Sequence, residues 1–114
     1  MVICIGPTLA KEDLKKCQEI YGFYPEIEDL AEFYNLISHP IRLKTIYMLR
    51  NFKEVCVCDL REIFDVSASS LSQHLTKLKA HKIVKSRKDA QTFFYSLTDN
   101  PLLETIPAEL QTTD

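Results

Sequence analysis

Residues 67–81 have the sequence SASSLSQHLTKLKAH, in which leucine recurs at Leu71, Leu75 and Leu78. This spacing of four and then three residues places the leucines on one face of a helix, where they can pack against a core. Ser67 stands just before the first helical position, where a side-chain oxygen can accept hydrogen bonds from free backbone amides. The stretch therefore predicts an amphipathic helix whose opposite face is polar and open to a partner.

The surrounding sequence places this helix in a larger motif. A shorter helix is expected over residues 57–64, and residues 65–67 form a tight polar turn between the two. Two helices joined in this way are typical of a helix-turn-helix. Two β-prone runs follow, 83–87 and 92–97, with residues 88–91 as the hairpin loop. The order predicts a mainly α fold with a β-hairpin wing, which is a winged helix-turn-helix.

Further helices are expected on both sides of this motif. The first runs from a Thr8 cap to Tyr21, the second begins at Pro25, and the third covers residues 40–51. The chain has 114 residues, which is the size of one domain. We therefore predict a single domain over 1–114, divided into an N-terminal arm and dimerisation helix (1–25), the helix-turn-helix (57–81), the wing (83–97) and a short C-terminal helix (99–110).

The composition argues against several classes of protein. Hydrophobic residues make up 46% and charged residues 26% of the chain, which is ordinary for a globular domain and unlike a disordered one. No apolar run approaches the ~18 residues that span a membrane, and the apolar start lacks the basic flank of a secretory signal. We expect a cytoplasmic protein without a membrane partner, whose cysteines are reduced and serve metal binding, redox chemistry or core packing.

The charge is unevenly distributed along the chain. Its formal net charge is −2, yet residues 67–95 contain six basic side chains and one acidic one. The rest of the chain contains eight basic and fifteen acidic side chains. A basic patch on an acidic body favours an oriented approach to phosphates. The patch coincides with the predicted helix and wing, so the pattern indicates a nucleic-acid interface.

The polar face of the main helix has the chemistry of a recognition helix. Such a helix presents small or hydrogen-bonding side chains to base edges, and an amide can pair with adenine through two hydrogen bonds. Basic residues one turn later can contact phosphates, and the wing tip can enter an adjacent minor groove. We predict double-stranded DNA as the partner, contacted by Ser67, Ser69, Ser70, Ser72, Gln73, His74, Thr76 and Lys77 of the helix and by Arg87, Lys88 and Gln91 of the wing.

A second chemistry is indicated by Cys56-Val57-Cys58. Residues i and i+2 of a helix point in nearly opposite directions, so this pair can chelate one ion only if a thiol precedes the regular helix. The start of a helix also lowers the pKa of a thiol and favours the thiolate. Thiolates select soft or borderline ions, namely arsenite, antimonite, cadmium, lead, zinc or copper(I). We therefore predict that Cys56 and Cys58 bind a soft metal or metalloid.

Several segments resemble motifs of the ArsR/SmtB family of repressors, in the family's order and spacing over about residues 26–97. Residues 71–78 (LSQHLTKL) are similar to the recognition helix of that family, and residues 83–88 and 94–97 resemble its wing. Upstream of the helix-turn-helix, residues 39–43 (HPIRL) resemble the start of another helix of that family. Residues 54–60 (EVCVCDL) are similar to the ELCVCDL box of the metal-sensing members.

The resemblance implies a homodimer that is built from the first and last helices, binds an inverted repeat in DNA and leaves it when an inducer binds. Because the last helix is short, we expect residues 9–21 to supply most of the dimer surface. The sequence departs from the family pattern at Lys82 and Ala90, where glycine is usual. Both departures leave the fold intact and alter the local turn geometry.

The resemblance also implies where a third metal ligand comes from. In the arsenic-sensing branch a third cysteine stands where this sequence has Arg61, so that self-contained trithiolate site cannot form. In the cadmium- and lead-sensing branch, N-terminal cysteines of one protomer complete the site on the other. Cys4 and Cys17 are the candidates for this role. Cys17 is equally well explained as a core thiol, because it stands on an otherwise apolar helix face.

Three other functions are alternatives to a metal-responsive repressor. A thiol redox sensor on the same fold would use Cys56 and Cys58, with Cys17 or Cys4 as the resolving thiol. A protein-interaction module would use the helix-turn-helix without DNA, which the basic segment argues against. An enzyme is not expected, because the chain has no glycine-rich phosphate loop and no paired acid and base residues.

Overall fold

The computed structural model describes residues 6–108, which form a winged helix-turn-helix as predicted. Its five α-helices and the two strands of the hairpin lie close to where periodicity and β-propensity placed them, and one further short strand was not expected. The elements are α1 (Lys11–Tyr21), α2 (Pro25–Ile37), α3 (Pro40–Asn51), β1 (Val55–Cys56), α4 (Val57–Phe64), α5 (Ala68–Ala80), β2 (Val84–Asp89), β3 (Thr92–Leu97) and a C-terminal 3-10 helix (Pro101–Thr105).

The chain divides into two compact units, one up to Glu32 and one from Phe33 onward. In the first unit, α1 buries none of its residues completely, and its N-cap is Ala10, which offers no side-chain hydrogen bond. The predicted Thr8 cap is therefore wrong, because the helix begins too far along the chain for that hydroxyl to accept from its first amides. The winged helix-turn-helix lies entirely in the second unit.

The core of the second unit is built on the leucine face of α5. Leu71, Leu75 and Leu78 are at most 1% exposed, and they pack with Ile46 of α3 and Leu60 of α4. Burying each such side chain contributes about 1.5–3 kcal/mol relative to leaving it in water. This packing fixes the recognition helix against α3 and α4, and it leaves the polar face of α5 outside.

The sheet has three antiparallel strands in the order β1-β3-β2. The hairpin of β2 and β3 is the predicted wing, and its loop is shorter than expected because Asp89 and Thr92 already pair. The unexpected strand, β1, pairs Val55 with Tyr95 and Cys56 with Phe94. The thiol box is therefore joined by backbone hydrogen bonds to the wing.

Two residues of the wing have left-handed backbone conformations. Lys82, between α5 and β2, has a φ of 59°, and Ala90, in the hairpin loop, has a φ of 55°. These are the two positions where the sequence departs from the glycines usual in the resembling family. A residue with a side chain occupies this region at a cost of roughly 1–2 kcal/mol. The structure thus shows the physical reason why glycine suits both positions.

The C-terminal segment differs from the predicted helix over 99–110. It forms a 3-10 helix that ends at Thr105, and residues after 108 lie outside the described part. Pro107 disfavours helical geometry in the residue before it, and Ile106 is extended accordingly, with φ −80° and ψ 133°. Arg50 of α3 then donates hydrogen bonds to the carbonyl oxygens of Leu103 (2.7 Å) and Pro107 (2.6 Å), which fastens the segment to the core.

Replacing Ala90 with glycine is expected to stabilise the protein by about 0.5–1 kcal/mol. The substitution removes the strain of a positive φ, and this gain exceeds the greater conformational freedom of glycine in the unfolded chain. Urea denaturation measures the effect. The matched control is Gln91→Gly, since Gln91 is the other loop residue and is not among the residues with positive φ. Lower stability of Ala90→Gly than of the unmodified chain would contradict the prediction.

Candidate nucleic-acid interface and thiol site

The outer face of α5 carries the residues predicted to read DNA. Six of them are exposed, and they form a contiguous polar surface along the helix. Ser70 is half-buried, and its backbone amide donates to the Ser67 hydroxyl oxygen at 3.1 Å. Ser67 is therefore the N-cap of α5, as its place in the sequence predicted. The exposed members of the set are Ser67, Ser69, Ser72, Gln73, Thr76 and Lys77.

His74 differs from its neighbours because its ring is half-buried. Its Nδ1 accepts a hydrogen bond from Arg42 Nε at 3.1 Å, and its ring centroid lies 4.2 Å from that of His39. Arg42 also donates to the Leu36 carbonyl oxygen at 2.8 Å. Arg42 thus connects the end of α2 to the recognition helix, and His74 is its contact on α5.

The protonation of His74 depends on these surroundings. Burial lowers the pKa of the ring below its usual 6.5, and the nearby His39, Arg42 and Lys77 lower it further. The neutral ring can accept from Arg42 through Nδ1, whereas the protonated ring carries a hydrogen on that atom and cannot.

The wing presents its predicted residues in two ways. Lys88 is exposed, with its Nζ 5.5 Å from the centroid of the Phe93 ring, and Gln91 is exposed at the tip. Arg87 instead has a partner within the chain. Its guanidinium donates from Nε (2.6 Å) and Nη2 (2.8 Å) to the two carboxylate oxygens of Glu54, a residue that the sequence analysis did not single out.

Arg87 and Glu54 influence each other's ionisation. The hydrogen bond between them lowers the pKa of Glu54 and raises the pKa of Arg87. The guanidinium carbon also lies 4.7 Å from the centroid of the Phe94 ring. The base of the wing is held to α5 as well, because Lys79 Nζ donates to the Ser86 hydroxyl oxygen at 2.8 Å.

The thiols of the Cys56-Val57-Cys58 box lie where strand β1 becomes helix α4. Cys56 is the N-cap of α4 with an extended backbone, φ −78° and ψ 153°, and Cys58 is exposed in the first turn. One thiol therefore precedes the regular helix, which is the condition for both to reach a single ion. Cys56 itself is half-buried.

The expected lowering of the thiol pKa does not hold for Cys56. A hydrogen bond with the Asp59 carboxylate raises the pKa of this thiol, and that effect exceeds the opposite effect of the Asp59 backbone amide. Asp59 stands three residues after the N-cap, which is the position where an acidic side chain characteristically reaches back to it. That spacing is visible in the sequence and would have identified Asp59 as part of the site.

The described part of the chain does not complete a metal site by itself. Within residues 6–108, no group of three or more histidine, cysteine, aspartate or glutamate side chains is placed to hold an ion. Cys17 is half-buried in the first unit, and the other predicted ligand, Cys4, lies outside the described residues. Over the same part of the chain, no helix has both the length and the apolar character needed to cross a bilayer.

The chain is similar in sequence to a known family of regulatory proteins. The family described as "Bacterial regulatory protein, arsR family" matches residues 39–86, which run from the N-cap of α3 into the wing. The chain is also 31% identical over 103 residues to the transcriptional repressor SmtB homolog of Synechocystis sp., covering 90% of this chain and 77% of that protein. This chain belongs to the ArsR family.

Two further ArsR-type relatives extend the comparison. The cadmium resistance transcriptional regulatory protein CadC homolog of Staphylococcus aureus is 36% identical over 90 residues, which cover 79% of this chain and 68% of that protein. The structure of reduced HlyU from Vibrio cholerae has a TM-score of 0.66 and 30% identity, and the match covers 77% of this chain and 88% of that one. The resemblance and the fold class predicted from the sequence are thus confirmed.

ArsR proteins are DNA-binding transcriptional regulators, so this chain is a regulator and not an enzyme, as predicted. The same result argues against a protein-interaction module that does not bind DNA.

Lowering the pH is expected to destabilise the protein through His74. The folded state binds a proton on this ring less tightly than the unfolded state does, because its folded pKa lies below 6.5. The contribution of His74 is therefore fully present above pH 6.5 and is lost as the pH falls through the folded pKa. Urea denaturation at several pH values between 7.5 and 5 should show a smaller loss for His74→Gln than for the unmodified chain. Parallel pH profiles for the two proteins would contradict this assignment.

Proposed function

We propose that this ArsR protein is a repressor that binds an operator as a homodimer and releases it when a soft metal or metalloid binds its thiols. The observation that carries the proposal is the pairing of Cys56 with Phe94 between β1 and β3. It places a potential ion ligand in direct backbone contact with the wing and at the start of the helix that packs on α5. If Cys56 binds the inducer, this one residue would connect the bound ion to both the wing and the helix that supports α5.

In the proposed complex, α5 lies in the major groove of the DNA. Its leucine face is fully buried, so the helix is held firmly while its polar face contacts base edges. Ser67 caps the helix by accepting from the Ser70 backbone amide, and His74 positions the helix through Arg42. Of the other predicted residues, Ser69, Ser72, Gln73 and Thr76 are proposed as base contacts. The proposed backbone or groove contacts are Lys77, Arg87, Lys88 and Gln91.

The homodimer is proposed to form through the N-terminal helices. The first unit exposes large apolar side chains, including Tyr21 at 66%, Phe23 at 72% and Ile27 at 46% of their surfaces. Apolar surface of this extent is characteristic of an interaction site. A two-fold dimer with one recognition helix per protomer matches an inverted repeat, whose half-sites lie one helical turn of DNA apart. We place this protein in the cytoplasm, where it has access to DNA.

The inducer is proposed to bind Cys56 and Cys58, together with Cys17 or Cys4 of the second protomer. Paired thiols suit arsenite, antimonite, cadmium, lead or zinc. A soft ion of this class binds both thiolates strongly and offsets the repulsion between their negative charges. Cys56 must first lose its proton, which the neighbouring Asp59 carboxylate opposes. Binding is therefore expected to release protons and to strengthen as the pH rises.

Drawing Cys56 towards a thiol of the second protomer would displace β1. Because β1 pairs with β3 and continues directly into α4, the same displacement would shift the wing and the helix that supports α5. Inducer and operator then disfavour each other by equal coupling free energies, which are typically about 1–3 kcal/mol. Release thus needs no large change of fold.

A thiol redox sensor is the second candidate, and two observations favour it. The solved neighbour HlyU is specified as reduced, and Cys58 is exposed to solvent. Two thiols of this chain would form a disulfide, giving two electrons and two protons to an oxidant such as hydrogen peroxide. The raised pKa of Cys56 disfavours it as the attacking thiol, so Cys58 would react first.

Titration of the reduced protein against DNA from its own promoter tests the proposal. We expect tight binding that one of arsenite, cadmium, lead or zinc weakens at least about tenfold, which corresponds to about 1.4 kcal/mol of coupling. In the Cys56→Ser/Cys58→Ser double variant the DNA affinity should persist and the response should vanish. Fluorescence anisotropy measures both quantities.

Three results would revise the proposal in different ways. Release of DNA by metal from the double variant would show that the thiol box is not the sensor. Binding that ignores every metal and fails with peroxide would establish the redox sensor. Absence of DNA binding under all conditions would contradict the assignment as a repressor.

Substitutions on α5 should separate base contacts from phosphate contacts. Gln73→Ala is expected to cost about 1–3 kcal/mol on the operator and little on unrelated DNA, because an amide pairs with one particular base. Lys77→Ala should weaken binding to both DNAs and reduce the slope of log K against log salt by about 0.9 per contact. Each variant serves as the control for the other, and equal losses on both DNAs for Gln73→Ala would exclude it as a base contact.

A further inference from the structure

A basic cavity of about 370 Å³ lies on the wing, and of the residues predicted to contact DNA only Arg87 lines it. Its lining includes three cations, Lys53, Lys85 and Arg87, together with the Glu54 carboxylate. Successive residues of a strand alternate between faces, so Lys85 and Arg87 project from the same face of β2. Lys53 and Lys85 are not among the residues predicted from the sequence to contact DNA.

Glu54 is the anion at the centre of this cluster. Both of its carboxylate oxygens accept hydrogen bonds from Arg87, at 2.6 and 2.8 Å, and Lys53 and Lys85 attract the same carboxylate. A planar guanidinium binds phosphate with the same two-pronged geometry that it uses for a carboxylate. The cluster therefore has the donor set of a phosphate site, with an internal carboxylate in the place of the ligand.

We propose that this cavity binds a phosphate of the DNA backbone, and that Glu54 competes with that phosphate for Arg87. The inference rests on the proposed function, since it requires the chain to bind DNA. In the free protein Arg87 is paired with Glu54, and in the complex it transfers its two hydrogen bonds to phosphate oxygens. Lys53 and Lys85 remain beside the anion in both states.

The exposure of the pair makes this exchange feasible. The side chains of Arg87 and Glu54 are 53% and 31% exposed, so a phosphate can reach the guanidinium from solvent. Exposed ion pairs are weak, because water and salt screen them and both side chains lose freedom. A DNA phosphate that arrives with the rest of the interface already bound is a strong competitor for such a pair.

The position of Glu54 also connects the cavity to the thiol box. Glu54 directly precedes β1, and the register of the sheet aligns Cys56, Phe94 and Arg87 in one row across the three strands. Arg87 lies over the Phe94 ring in that row. A displacement of β1 therefore moves the competing carboxylate relative to the guanidinium, which makes this ion pair part of the connection between sensing and DNA binding.

The test is the DNA affinity of Glu54→Gln in the full-length reduced protein. Loss of the Glu54 carboxylate leaves Arg87 with only its longer contact to Asp89, 3.9 Å from Nη1 to Oδ2, so we expect the affinity for DNA to rise about fivefold at low salt. The slope of log K against log salt should become steeper by about 0.9 per protomer, because one more phosphate is neutralised. The matched control is Glu62→Gln, which removes the same charge from exposed α4 and should leave the slope unchanged.

A double-substitution cycle shows whether Glu54 acts through Arg87. Glu54→Gln should have no effect on affinity when Arg87→Gln is already present, and Lys85→Gln alone should weaken binding and flatten the salt slope. If Glu54→Gln tightens binding equally with and without Arg87, the competition does not exist. If it leaves the affinity of an operator-binding protein unchanged or lowers it, the inference fails while the proposed function stands.

Free phosphate is the other source of the same ligand chemistry. Exchanging chloride for inorganic phosphate at constant ionic strength distinguishes the two sources. The proposal expects no additional inhibition of DNA binding by phosphate in the unmodified chain. If free phosphate binds Glu54→Gln through Arg87 while the DNA affinity is unaltered, the cavity belongs to a free anion, which overturns the assignment to DNA.

Discussion

The buried leucine face of α5 fixes how this helix is oriented against its neighbours. Leu71, Leu75 and Leu78 are in contact with α3 and α4, so the helix cannot rotate about its axis without exposing them to water. The same packing keeps the polar side chains of α5 on its outer face. It also fixes the end of α5, from which the chain continues into the wing. The hydroxyl and amide groups proposed to contact DNA are thus held in place by leucines on the opposite, buried face of α5.

Strand β1 links the thiol box to the packed helices and to the wing. It consists of only two residues, yet it joins the thiol box, the wing and α4 through one pairing. Short pairings at a sheet edge cost little to disturb. The structure therefore combines a firmly packed helix α5 with a lightly held strand β1. Under the proposed function, a modest free energy of metal binding would act on β1 without unfolding α5.

Features that depend on residues close together in the sequence could be predicted from it, whereas contacts between distant residues could not. The helix-turn-helix and wing were predictable because periodicity and β-propensity are local. The Arg87–Glu54 pair joins residues 33 apart, and nothing local indicates it. The pKa of Cys56 was predicted in the wrong direction because Asp59 outweighs the helix terminus. The effect of Pro107 on the last helix was local and could have been foreseen.

The side chains at Lys82 and Ala90 have a consequence for the mechanics of the wing. They stand at its base and at its tip, in backbone conformations that glycine would adopt more easily. Glycine would also allow many other conformations, whereas a side chain restricts the backbone to few. We therefore expect the backbone at these two positions to lose less entropy on the proposed docking to DNA than it would with glycine.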